Sequence, residues 1–362
     1  MSNRKLRDSN IELLRILAAC GVIVLHYNNA RIGGGYDAVN DGSLNQMIMT
    51  ILESVTICAV NLYVLISGFF MRDSMKRDLL KPIGLLTQLI VWETIFCLVK
   101  ELSKGNSINF NVILNYLTPT YWFVFVYIAL YLISPYINLV WKRLDDRNKN
   151  ILLIIWIGLF AVYAFIPDML KKLADDKLMG ASTVGLEGSQ AGYTIVNFVL
   201  MYLLGCWLRD REDKGIKNST GKLVLLFFID AAVIFGLTYL DKLITGDPIY
   251  YTIVWNYENP LVIIEAVLAF MIFKNLKIGN NKVINRLAAA SFPSYLIHVN
   301  LLEYCGIRKY VTGNTGLLIL HIICSTAVIY IISFLLNMIY DLAFRPLFSL
   351  IEKHWKNRTY SL

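Results

Sequence analysis

The stretch GLLILHIICSTAVIYIISFLLNMIY, residues 316–340, decides the fold class. It holds no Asp, Glu, Lys or Arg. A helix crosses a hydrocarbon core with about 20 apolar residues, so this run is long enough. Nine further runs of the same kind lie near 11–28, 46–70, 82–100, 120–141, 150–167, 193–208, 222–240, 251–273 and 287–304, the eighth with Pro260 near its start. The composition agrees. Of 362 residues, 57% are apolar and 17% charged, against about 25% charged in ordinary soluble proteins, and the mean hydropathy is +0.55. Such a chain is neither disordered nor an ordinary soluble enzyme, and six cysteines are too sparse for a disulfide scaffold. No alternation of polar and apolar residues suggests a membrane barrel, which leaves helices. The expectation is an all-α, polytopic integral membrane protein with about ten transmembrane helices. Residues 1–345 would form a single transmembrane domain, and 346–362 a short basic tail.

The cations orient it. Numbering the gaps between runs from the N-terminus, 24 of the 34 lysines and arginines fall in alternate gaps on one side. These include Arg4, Lys5 and Arg7, then Arg72, Lys76, Arg77 and Lys81, and Lys356 and Arg358 in the tail. Nine lie on the other side, among them Lys177, and Arg15 sits inside a run. The positive-inside rule then places both termini in the cytoplasm. The net charge of +8 is accounted for by short basic clusters beside anionic headgroups, so no nucleic-acid partner is expected; membrane lipid is. The first run holds Glu12 and Arg15 and no small-residue cleavage site, so it is expected to stay as a helix rather than act as a cleaved signal.

Five cysteines fall within runs and read as small core residues; only Cys305 lies at an edge, and no metal-ligand spacing appears. No internal repeat stands out. The loop near 168–192, with Asp175, Asp176, Gly180, Gly185, Gly188 and Gly192, exceeds a minimal connector and reads equally as a lid or as a plain surface loop. Gly33, Gly34 and Gly35 fit no phosphate-binding fingerprint and read as a turn.

Ionisable groups at membrane depth cost about 2.5–3.5 kcal/mol each near a helix centre, so they locate function. Glu12 and Arg15 are three apart and can pair on one helical face. Arg15 and His26 are eleven apart, three turns, which puts them on a shared face about 16 Å from each other. Tyr295 and His298 are likewise three apart on the ninth run, beside Pro293, which could bend it. His321 enters the tenth run at a similar depth, and two or three histidines at one level suggest proton or acyl handling. Each residue also has a plainer reading. Arg15 can be a snorkelling residue paired with Glu12, and His26 an interfacial helix end. Glu53, Glu93, Asp230 and Glu265 can be structural, and Gly68 a point of close helix packing.

These residues match a known pattern. Asn10 to Ala19, with Arg15, ten residues, His26 and an acidic Glu12 three before the arginine, resembles the opening helix of the membrane acyltransferase 3 family. Asn61 to Phe69, ending Ser67-Gly68-Phe69, is similar to that family's second helix, and Lys76, Arg77 and Lys81 follow as they often do there. Tyr121-Trp122-Phe123 with Tyr131 to Pro135 resembles its fourth helix, and Ser294 to His298 its late tyrosine-histidine stretch. No soluble esterase-like domain follows the last run, so a separate extracytoplasmic transferase or polysaccharide-biosynthesis proteins are possible partners.

The resemblance implies transfer of an acyl group, usually acetyl, from cytoplasmic acyl-coenzyme A to a glycan hydroxyl in a bacterial plasma membrane. Acetyl-coenzyme A is then a donor substrate, and no tightly bound cofactor or metal is implied. Arg15 could hold coenzyme phosphate, with Ser67, Arg72, Lys76, Arg77 and Lys81 around the donor. His26 could be general base or transient acyl carrier. Glu12, Tyr295 and His298 complete the expected catalytic set. A transporter or exporter of a glycan is the competing reading, although no inverted repeat supports it; a sensor or assembly partner of a glycan synthase is a third.

Overall fold

The computed structural model describes residues 8–105, 121–174, 182–185, 188–355 and 358–361. Arg4, Lys5, Arg7, Asp175, Asp176, Lys177, Gly180 and Lys356 lie outside them. The first helices are α1 (Ser9–Asn28), a short α2 (Gly35–Ala38), α3 (Leu44–Thr56) and α4 (Ala59–Met71). After β1 (Lys76–Asp78) come α5 (Leu80–Ser103), α6 (Trp122–Arg143), α7 (Asp146–Ile157) and α8 (Tyr163–Leu173), the last two joined by a wide helical turn at Gly158–Val162. Then follow α9 (Ile195–Asp213), α10 (Thr220–Thr245), α11 (Pro260–Asn275), α12 (Lys282–Leu287), α13 (Ser291–Leu302), α14 (Ile307–Val311) and α15 (Thr315–His354), and the chain closes with β2 (Thr359–Ser361).

A helical segment lies at each of the ten expected positions. Among the described residues, seven are long and apolar enough to cross a membrane: α1, α3 with α4, α5, α6, α7 with α8, α10 and α15. The other three are shorter or end in charge. α11 has 16 residues and α13 has 12, and α9 ends in Arg209 to Asp213. Large apolar side chains such as Leu243, Leu342 and Ile154 cover the outside of the bundle. That is the surface a hydrocarbon solvent selects, since every backbone polar group there must be satisfied within its own helix.

Packing inside depends on small residues. A Cβ on Gly68 would run into the carbonyl of Tyr202, and one on Gly205 into the carbonyl of Leu65. Thus α4 and α9 cross backbone to backbone, and Gly68 is a close-packing glycine. Polar side chains bridge the core: Asn61 donates to the Tyr257 carbonyl at 2.8 Å and accepts from Asn197 at 3.2 Å.

Four expectations change. The run 251–273 is not one helix. Residues Ile249–Tyr251 and Ile253–Trp255 form separate 3₁₀ turns, the second capped by Thr252, and α11 begins only at Pro260 behind the capping Asn259. Proline lacks the N–H that the first helical turn leaves unused, so it starts the helix rather than lying within it. The run 46–70 breaks at Ile57 and Cys58, between α3 and α4. The run 287–304 tightens into a 3₁₀ turn at Ala288–Ala290, directly before Pro293 in the first turn of α13. The boundary drawn at 345 falls inside α15, which continues through Pro346 to His354. Beyond it β2 pairs antiparallel with β1, Arg77 opposite Tyr360. This two-stranded ladder is a small exception to an otherwise all-α fold.

Candidate functional site

The site starts with α1 and α13. In the last turn of α1, His26 Nδ1 hydrogen-bonds His298 Nε2, and the rings lie 4° from parallel with centroids 4.7 Å apart. The other ring nitrogen of His298, Nδ1, is 2.9 Å from the carbonyl of Ser294. A carbonyl only accepts, so Nδ1 of His298 carries the proton and its Nε2 presents a lone pair. His26 Nδ1 must then donate to it. This network assigns the tautomers in series and leaves Nε2 of His26 as a free base. The geometry comes from local sequence: Ser294 is one helical turn before His298, and Pro293 sits where the helix needs no donor.

Two cavities approach this pair from opposite ends of α1. The first, about 260 Å³, is lined by Arg15, Tyr63, Ser67, Lys81, Tyr127 and Tyr295, among others. Arg15 reaches Glu12 at 3.2 Å. Lys81 holds its ammonium 4.6 Å from the centre of the Tyr131 ring and 5.8 Å from that of Tyr127. Ser67 Oγ donates to the Tyr63 carbonyl at 2.9 Å and lies 3.1 Å from the Tyr127 hydroxyl. Arg15, which is paired with Glu12, and Lys81, which lies over tyrosine rings, put positive charge on a mostly apolar wall, which suits an anionic ligand with an apolar arm. The second cavity, also about 260 Å³, is lined by His26, Glu53, Trp122, Tyr193, Trp255 and Tyr257 with other polar groups. Val22, Val60 and Tyr295 line both cavities, so these three side chains form a wall that the two share.

The expected residues divide. Arg15, Ser67 and Lys81 line the first cavity, His26 the second and Tyr295 both, while Glu12 bonds Arg15 and His298 bonds His26. Arg72, Lys76 and Arg77 line neither cavity. Arg72 bonds Asp73, Asp210 and Asp213 and ties α4 to α9; its guanidinium holds the Asp73 carboxyl below the usual carboxylate range. Lys76 lies on β1. Arg77 is buried and donates to Ser134, to the Tyr131 carbonyl and to Ser74, as a hub between β1 and α6. His321 is not a third member of the histidine pair: it accepts from or donates to Tyr27 at 2.8 Å and stacks on Tyr310 with centroids 3.7 Å apart.

Sequence reading missed the aromatic wall of the second cavity and the roles of Tyr63 and Tyr127 in the first. Trp122, Tyr193 and Tyr257 come from three separate segments, and only their convergence makes a wall. Part of the 168–192 loop contributes: Gln190 and Ala191 adopt left-handed backbone at φ 56° and 52°, a costly conformation for residues with a side chain, and Ala191 and Tyr193 thereby reach the cavity.

Residues 8–338 match the acyltransferase domain family. No curated protein and no solved structure matches the chain. The matched range contains α1, the histidine pair and both cavities, and it spans nearly the whole chain. The protein therefore belongs to the acyltransferase 3 family, and is a multi-pass membrane acyltransferase.

Proposed function

We propose that the protein moves an acetyl group from acetyl-coenzyme A, bound at the Arg15 end, to a hydroxyl of a glycan bound at the His26 end. The observation that carries this is the wall that the two cavities share at Val22, Val60 and Tyr295, beside a histidine with a free Nε2. The excess of lysine and arginine in alternate gaps supports a cytoplasmic Arg15 end. There the donor is made, and the His26 end faces outward across a bacterial plasma membrane. Arg15 and Lys81 hold donor phosphates, and the apolar wall takes the pantetheine arm.

Nε2 of His26 removes the proton from the acceptor hydroxyl as its oxygen attacks the thioester carbonyl. The His26 imidazolium is stabilised through Nδ1 by His298, and His298 in turn by the Ser294 carbonyl. This is the base-and-orienter logic of a hydrolytic triad, with a neutral ring and a carbonyl in place of a carboxylate. Tyr295, in the shared wall, offers a hydroxyl to the carbonyl oxygen as charge develops on it. The carbon–sulfur bond then breaks, the thiolate takes the proton from His26, and coenzyme A leaves towards the Arg15 end. No resident cofactor takes part. Surrounding lipid covers the apolar exterior, and polysaccharide-biosynthesis proteins or a separate transferase supply or receive the glycan.

The test is coenzyme A release by purified protein with radiolabelled acetyl-coenzyme A, with and without a membrane glycan extract. Glycan-dependent release in the wild type and its loss in a well-folded His26→Ala variant is the expected result. No release from folded wild type with several acyl donors would favour a glycan transporter instead.

A further inference from the structure

A third hollow lies on the outside of the bundle. It is a groove of about 640 Å³ between α15 and the turn that joins α12 to α13. Phe334, Met338 and Leu342 follow one another at four-residue spacing along α15 and form its apolar floor. Met338 is 43% exposed and Leu342 81%, so the groove opens onto surrounding hydrocarbon and not into the core. Asp341 is the first charged residue after the uncharged run 316–340, and Arg345 follows one turn later. One end of the groove therefore lies where hydrocarbon gives way to lipid headgroups.

Donors collect at that end. Arg286, on α12, is exposed and has no ion pair among the described residues. Its guanidinium lies against the groove instead, 6.0 Å from the centre of the Phe334 ring, with a terminal nitrogen 3.9 Å from Met338 Sδ. Asn337, in the same wall, is only 8% exposed. Its side-chain oxygen accepts from Gln88 at 3.0 Å, while its amide N–H groups bond none of the described residues. A buried amide with idle donors beside a groove calls for an acceptor from outside. Arg345 pairs with Asp341 at 3.6 Å. Two arginines against one aspartate leave the groove with a net positive charge.

We propose that this groove seats one anionic phospholipid, with its phosphate at Arg286 and the Asn337 amide and one acyl chain along Phe334, Met338 and Leu342. A phosphodiester supplies acceptor oxygens to both donors, and the bonds to the guanidinium are charge-assisted. A basic pocket between helices at the membrane edge is where such headgroups are held. The chain accounts for the apolar floor, which no soluble anion needs. A zwitterionic headgroup carries a quaternary ammonium as well, and that cation meets two arginines with one carboxylate, already paired, to receive it. The groove therefore selects a net negative lipid. The site is independent of the acyl-transfer reading.

The experiment is native mass spectrometry of the full chain released from detergent, titrated with phosphatidylglycerol and phosphatidylcholine of identical acyl chains. The tightest site should favour phosphatidylglycerol by about fivefold or more, the effect of one cation beside an anionic lipid. Arg286→Gln, at an exposed side chain, should remove most of that preference. Asn337→Asp keeps the acceptor for Gln88 but puts an anion in place of the two N–H groups, and should weaken phosphatidylglycerol more than Arg286→Gln does. Arg143→Gln, at an exposed arginine in the last turn of α6, should change nothing. Four results overturn the proposal: no preference in the wild type, a preference that survives Arg286→Gln, unchanged phosphatidylglycerol binding by folded Asn337→Asp, or an equal loss from Arg143→Gln, the mark of diffuse attraction to a basic protein. Displacement of the lipid by an equal concentration of glycerol phosphate also overturns it, since the site would then be one for a soluble anion.

Discussion

His298 does not need to touch either substrate to matter. Its Nδ1–H is committed to the Ser294 carbonyl, so it can only accept from His26 and must share the charge that His26 acquires. It is a positioning residue with an electrostatic part. His298→Ala is expected to lower kcat for acetyl transfer by about 10²–10⁴-fold, the usual range for acid–base assistance, with little change in the KM for acetyl-coenzyme A. His298→Gln, whose side-chain oxygen can still accept from Nδ1 of His26, should restore part of the loss. Steady-state coenzyme A release reads both, and a KM effect equal to the kcat effect would mean that the ring only packs. The spacing of Arg15 and His26 was legible in the sequence, because helical periodicity alone sets it. The fates of Arg72 and Arg77 were not. Their partners, Asp210 and Ser134, lie 138 and 57 residues away, and nothing in a basic run says whether it faces a ligand or an acid on another helix.

Between elements, the crossing of α4 and α9 sets how firmly Ser67 and the donor cavity are held. Gly68→Ala would press a methyl group into the Tyr202 carbonyl, and overpacking of this kind costs about 1–3 kcal/mol. The expected result is a lower apparent unfolding temperature in detergent and poorer yield. Gly84→Ala, where a Cβ would only touch the Phe348 ring at 4.0 Å, should be neutral in the same measurement. Most helices were readable as apolar runs, since the bilayer demands length and little else. The segment 249–259 was not. Ile249, Tyr250, Ile253, Val254 and Trp255 look like helix by hydropathy, yet they turn in two 3₁₀ steps. Side-chain oxygens of Thr252 and Asn259 take up the backbone donors there. Buried in protein beside a cavity, irregular backbone is tolerated at a depth where lipid would forbid it.

For the molecule as a whole, the proposed reading of the two cavities implies sidedness. In sealed proteoliposomes, acetyl-coenzyme A confined to the Arg15 side should label glycan confined to the His26 side. Intact vesicles with both substrates on the Arg15 side should yield no product, and mass spectrometry of the glycan distinguishes the two. Product from the second arrangement would refute transfer across the membrane. The charge bias along the sequence is an expectation of two different faces; that Val22, Val60 and Tyr295 form a wall common to both cavities needed three helices to converge. The shared wall has an energetic corollary on the proposed reading. For each acyl group delivered outward, the hydroxyl proton it displaces ends on the thiol released inward. A complete turnover therefore carries no net charge and frees no proton on either face. The membrane potential, worth about 2.3 kcal/mol per elementary charge per 100 mV, has nothing to act on over the cycle. The thioester alone drives the reaction, so a cell whose proton gradient has collapsed would still decorate its glycan for as long as donor lasted.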